Sequence, residues 1–168
     1  MIIRGAKSQR DWDAIADLMR AFVDWHYQRH SADRLIVDSY FDPEKFAAEL
    51  DGLPGEFAPP KGALLVAEDE GAIIGCVALR SLDDTTCEMK RMFVSYSLHG
   101  KGVGLLLGRA IVEEARRLGY RRMMLDTGPA QLEAQGLYRK LGFTPAEPYY
   151  ELSPQLRGWL LFMGLDLG

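Results

Sequence analysis

Residues 99–108 read HGKGVGLLLG, and the helical pattern that follows opens with Gly100, Gly102 and Gly104 in three of five positions. Glycine in a helix interior costs roughly 0.5–1 kcal/mol relative to alanine. Such crowding is expected where something must come close to the backbone. The preceding segment, TCEMKRMFV (86–94), is strand-like, so the centre of the chain is a strand, a glycine-rich turn and a helix. A helix N-terminus offers unpaired N–H groups and a positive dipole end, which together seat an anion. A tight turn with close helix–strand packing would account for one or two glycines. Three alternating glycines with Lys101 among them favour the anion.

The flanking sequence limits what surrounds this unit. Ser8 and Asp11 have the spacing of a helix cap, and Trp12, Ile15, Leu18, Met19, Phe22 and Val23 recur with a 3.6-residue period that carries the helix toward His30. Asp42 followed by Pro43 starts a second helix. Segments 63–69 and 72–80 form a hairpin around Glu70-Gly71, with 86–94 as the next strand. A helix from Val103 to Leu118, a strand at 121–127, a helix ending in LYRKLGF and a strand within 158–167 follow, after a short opening strand at 2–6. Antiparallel strands followed by strand–helix–strand predict an α/β fold in one domain spanning 1–168. Its mixed, mostly antiparallel sheet has about six to seven strands, with helices on both faces.

A net charge of −4 argues against nucleic acid and anionic membrane as partners. No apolar run approaches the roughly 20 residues of a membrane span, and the N-terminus has no signal-peptide pattern, which predicts a cytoplasmic protein. Two cysteines, Cys76 and Cys87, make neither a disulfide framework nor a four-ligand metal set, so no metal is expected.

Phosphate-binding motifs narrow the ligand. A P-loop would place its first glycine at Ser95 and its hydroxyl residue at Gly102, and fails twice. A Gly-x-Gly-x-x-Gly fingerprint falls on Leu105 or Leu107, depending on register. That leaves a nucleotide-binding oxidoreductase, with Asp126 as ribose acid, as a weak alternative. The ordered segments CEMKRMFV, HGKGVG, LLGRAIVEEARRLGY, LDT and GLYRKLGF instead resemble the GNAT superfamily of acyl-CoA-dependent N-acyltransferases, closely over residues 60–145. The resemblance implies an N-acetyltransferase that uses acetyl-CoA as co-substrate, a primary amine of a small molecule or peptide as acceptor, and direct attack in a ternary complex. A homodimer is compatible with it, as is a non-catalytic acyl-CoA-binding module of the same fold.

By the same resemblance His99, Gly100, Lys101, Gly102, Val103 and Gly104 form the pyrophosphate loop, although the family prefers Gln or Arg where this chain has His99. Met92, Phe93 and Val94 would hold the pantetheine arm through their main chain, and Gln131 stands where relatives carry a coenzyme-touching asparagine. Acetyl transfer needs the amine deprotonated and benefits from an acid at the leaving sulfur. Tyr138, protonated at neutral pH, is the implied acid, and Glu88 the implied base. Strict alternation puts Glu88, Lys90, Met92 and Val94 on one face of their strand. Asp126 and Thr127 read as strand-end polar residues. Trp25, His26, Tyr27, Tyr40, Tyr149 and Tyr150 are candidates for lining the acceptor pocket.

Overall fold

The computed structural model describes all 168 residues. The elements run β1 (Ile2–Gly5), α1 (Gln9–Arg29), α2 (Arg34–Tyr40), α3 (Pro43–Asp51), β2 (Ala63–Asp69), β3 (Ala72–Ser81), β4 (Thr86–Val94), α4 (Val103–Arg117), β5 (Arg122–Thr127), α5 (Leu132–Lys140), β6 (Thr144–Pro145) and β7 (Leu161–Asp166). One seven-stranded sheet has the order β1-β2-β3-β4-β5-β7-β6, with β4–β5 as its only parallel pair. The expected helix starts are present. Ser8 and Asp11 form a reciprocal capping box, while the Asp42 carboxylate accepts from the N–H groups of Glu44 and Lys45. Helix α2 and the two-residue β6 were not expected from the sequence.

Alternation in β2 and β3 gives the sheet two apolar faces. On one, Leu64, Val66, Cys76, Ala78 and Phe93 pack with Ile15, Leu18 and Met19 of α1 and Leu50 of α3. On the other, Val77, Leu79, Cys87, Met89 and Val94 pack with Leu107, Ile111 and Ala115 of α4 and with Tyr138 of α5. The two cysteines are free, buried and on opposite faces.

Two departures from regular pairing shape the centre. The register passes from Cys76↔Phe93 to Ala78↔Lys90, so Val77 faces both Arg91 and Met92. Arg91 takes up the extra residue as a β-bulge with φ +55°. The alternation therefore reverses within β4. Met89 and Val94 share the α4 face although they are an odd number of residues apart, and the expected single face of Glu88, Lys90, Met92 and Val94 does not exist. Second, β4 and β5 pair only from Thr86↔Arg122 to Glu88↔Met124. Beyond that point β4 stays with β3 as far as Val94, and β5 stays with β7 as far as Thr127↔Leu161. The two central strands part, and their facing edges are left unpaired.

The glycine run serves two purposes. Gly100 and Gly102 have φ of +78° and +83°, a region that disfavours side chains, and no atom lies within 4 Å of a Cβ built on either. Gly104 is different: a Cβ there would sit 3.3 Å from Leu137 Cδ2. One turn later, a Cβ on Gly108 would meet Leu141 Cδ1 at 2.5 Å. These two let α4 approach α5 closely. Packing thus explains the third glycine of the run, and backbone conformation the first two.

Candidate active site

Where β4 and β5 separate, a cavity of about 40 Å³ opens, lined by Met89, Lys90, Arg91 and Met92 from β4 and by Asp126, Thr127 and Gly128 at the end of β5. Helices α1 and α5 close it with Phe22, His26 and Tyr138, and Tyr40, Gln131, Trp159 and Leu160 complete the wall. Past the end of β4, α4 begins on Gly102. The N–H groups of Gly102, Val103, Gly104 and Leu105 make no hydrogen bond within the chain, so the positive end of α4 is free to bind an anion. The open space over Gly100 and Gly102 leaves those donors accessible. Together with the bare edge of β4, this loop has the donor set and the room that a pyrophosphate followed by an extended amide-bearing arm requires.

His99 turns its Nε2 back to the end of β4. Its Nε2 donates to the Val94 carbonyl at 2.8 Å, and its ring sits against Phe93 and Tyr96. A neutral imidazole supplies that bond as well as a charged one, so the histidine fastens the loop to the end of β4. Lys101 is exposed.

Tyr138 is buried in α5 and lines the cavity. Burial, with the negative charge of Asp126 added, holds its hydroxyl proton far more tightly than in a free phenol. Glu88 is 1% exposed but is not part of the cavity wall. Its Oε2 accepts from Arg80 Nε at 2.6 Å and its Oε1 from Tyr149 Oη at 2.9 Å, with Lys90 Nζ 3.7 Å away. Arg80 also bonds Glu56. The expected base is thus the hub of an ion-pair network, and the reason is its register: it is the last β4 residue paired to β5, just below the opening.

The carboxylate that does face the cavity is Asp126. Tyr40 Oη donates to its Oδ1, and Tyr150 Oη donates to its Oδ2 at 2.7 Å. Burial raises its proton affinity above the usual carboxylate range, against the opposing pull of Lys90 and the tyrosine hydrogen bonds. Its position at the strand end is legible in the sequence, but its burial is not. It depends on Tyr40 from α2 and Tyr150 from the segment before β7 folding over it.

The loop after β5 is held by side chains. Gln131 Oε1 accepts from Thr127 Oγ1 and the Gly128 N–H, and Gln135 Nε2 donates to the Gly128 and Pro129 carbonyls. His30 Nε2 accepts from the Ala130 N–H, which fixes the proton on Nδ1, and that proton goes to the His26 carbonyl. The ring leaves no room for a Cβ on Gly128. Gln131 thus spends its carbonyl on the loop and lines the cavity at the same time. His26 stacks on His30 at 5.4 Å, its Nδ1 buried without a partner. Desolvation, with the nearby His30 and Arg91, lowers its pKa to about 3, so it is a neutral wall residue. Trp25 and Tyr27 are not part of this wall.

Comparison with known proteins identifies the family and the fold. Residues 12–143 match the model of the acetyltransferase (GNAT) family. An uncharacterized N-acetyltransferase of Schizosaccharomyces pombe is 42% identical over 97 residues, covering 56% of this chain and 60% of that protein. The N-acetylaspartate synthetase of Danio rerio is 32% identical over 117 residues, covering 68% of this chain and 41% of the relative. The chain therefore spans less than two thirds of the length of either. Among solved structures, an aminoglycoside 6'-N-acetyltransferase complexed with coenzyme A superposes with a TM-score of 0.71 over 99% of this chain and 97% of the other, at 17% identity.

Proposed function

The chain belongs to the acetyltransferase (GNAT) family, and on that premise we propose that it transfers an acetyl group from acetyl-CoA to a primary amine, by direct attack in a ternary complex. The observation that carries the reading is one cavity, set where two central strands part, with Tyr138 and Asp126 in its wall, together with the unbonded N–H groups at the start of α4. The residues fit the coenzyme. The backbone from Gly100 to Gly104, with Lys101 and Val103 at the rim, would hold the pyrophosphate, and the free edge of Met92–Val94 would hold the pantetheine arm. Gln131 would meet that arm with its uncommitted amide. When bound, the coenzyme supplies an acetyl group already activated as a thioester.

The protein's own part is moving protons and excluding water. An incoming ammonium must lose a proton before it can attack, and Asp126 is the carboxylate placed to take it. Its raised proton affinity makes it a better acceptor than an exposed carboxylate, while Tyr40 and Tyr150 hold both oxygens in place. Tyr138 keeps its proton at neutral pH and donates it where thiolate charge develops. We assign Glu88 to support rather than proton transfer. Its network with Arg80, Tyr149 and Lys90 braces the base of the opening.

The test is release of free CoA thiol from acetyl-CoA in a panel of amines: amino acids, polyamines, aminoglycosides and peptides. Turnover with at least one class is expected. Tight calorimetric binding of acetyl-CoA with no turnover in the whole panel would make the protein an acyl-CoA-binding module instead.

A further inference from the structure

Among the charged groups around the cavity, one has an ion-pair neighbour but makes no hydrogen bond. Arg91 gives Nε and Nη2 to Glu49 and is enclosed by the rings of Phe41 and Phe46. Arg80 is bonded to Glu88 and Glu56. Both oxygens of Asp126 accept from tyrosines. Lys90 lines the cavity with a side chain only 15% exposed, and its ammonium makes no hydrogen bond. Its nearest acceptor, Glu88 Oε1 at 3.7 Å, lies beyond bonding range and is already taken by Tyr149. The ammonium is not among the buried polar atoms left without a partner, so its three donors are open to a ligand that enters the cavity. Burial lowers the pKa of Lys90, although Glu88 and Asp126 favour its charge, while Arg80 and Arg91 oppose it.

We propose that Lys90 binds a carboxylate of the acceptor, so that the amine substrate is an amino acid or a comparably short aminocarboxylate. The inference rests on the acetyltransferase reading and deepens it. The amine goes to Asp126 and the carboxylate to Lys90, so a zwitterion fills the site without adding net charge. A polycationic acceptor would instead bring a further positive charge to face the Lys90 ammonium. Lys90 and Asp126 line the same cavity, which places the two charges close together on the acceptor.

The experiment compares matched acceptors, each free amino acid against its own α-amide, with Lys90→Met and Lys90→Gln beside the wild type. Circular dichroism is used to check that both variants are folded. The wild type should prefer the acid by about thirtyfold in kcat/KM, the size expected of one hydrogen bond between charged groups. In both variants the preference should shrink to about threefold or less. Equal use of acid and amide by the wild type overturns the proposal, as does a preference that survives both substitutions. If no amine turns over, the acetyltransferase reading itself has failed. The Lys90 assignment is then judged by calorimetric titration of acid and amide into the CoA-loaded protein. Acid binding that is lost in both variants supports it, and equal binding of acid and amide overturns it.

Discussion

Glu88→Gln separates the chemistry of this site from its architecture. The substitution keeps the size and shape of the side chain and one acceptor oxygen for Arg80, but turns the oxygen that accepts from Tyr149 into a donor and removes the negative charge at the centre of the network. Arg80 then retains only Glu56 as an anionic partner, and Lys90 loses its only ion-pair partner. Breaking a fully buried pair costs about 3–5 kcal/mol. Here Arg80 is partly exposed and keeps a second partner, so the loss should fall to about 2–3 kcal/mol. For a chain of this length each kcal/mol lowers Tm by about 2–4 °C, giving a drop of about 4–12 °C by differential scanning calorimetry. In Arg80→Met, Glu88→Gln should cost much less, because a double-mutant cycle removes the shared term. Turnover should fall by no more than about tenfold, since the residue that exchanges protons is elsewhere. An unchanged Tm with kcat reduced a hundredfold or more would sink the argument and return Glu88 to the role of base.

Tyr138→Phe should keep the fold and the KM for acetyl-CoA but lower kcat about a hundredfold, or about 2.7 kcal/mol of barrier, and a loss confined to KM would remove Tyr138 as the acid. Asp126→Asn should lower kcat/KM by about 10²–10⁴-fold. The wild-type acid limb should lie above the ordinary carboxylate range, because burial raises this group, and steady-state pH profiles should show that limb missing in the variant. Gly102→Ala places a side chain at φ +83°, at a cost of about 1–2 kcal/mol, and should weaken acetyl-CoA binding measured by calorimetry; unaltered affinity would remove the loop from the coenzyme site. His26 carries its stability above the free histidine value and loses it as pH falls from 6.5 toward about 3, because only the unfolded chain takes up the proton. Between pH 6.5 and 4.5 that amounts to about 2.3 kcal/mol, and His26→Leu should flatten this slope in urea melts.

The sequence exposed what is written locally. The capping box at Ser8, the Asp42-Pro43 start and the hairpin all rest on short-range rules, and the structure contains each of them. The glycine run was legible as a special backbone, but its third member answers to Leu137, more than thirty residues away, which no local pattern shows. The faces of β4 were misread for one reason. A bulge at Arg91 shifts the phase by a single residue, and nothing in CEMKRMFV announces it. Asp126 stood in plain view at a strand end. Its importance comes from Tyr40 and Tyr150, which reach it across 86 and 24 residues of chain and bond both of its oxygens. Helix α2 lacks a side-chain cap at its start, so it had no signal to read.

The parting of β4 and β5 also bears on how the protein avoids its own kind. A bare strand edge is a template for any other strand, and in many sheets it must be blunted by charge, proline or brevity. This sheet treats its outer and inner edges differently. Outside, β1 is four residues long with Arg4 tied to Glu68 and Asp11, and β6 is two residues long and ends in Pro145. Inside, the unpaired edges of Met89–Val94 and Leu125–Thr127 belong to strands whose other edges are paired with β3 and β7. The backbone that has to stay open for a narrow extended guest is thereby withheld from neighbouring chains, and the fold can keep a permanent gap in its sheet without inviting aggregation.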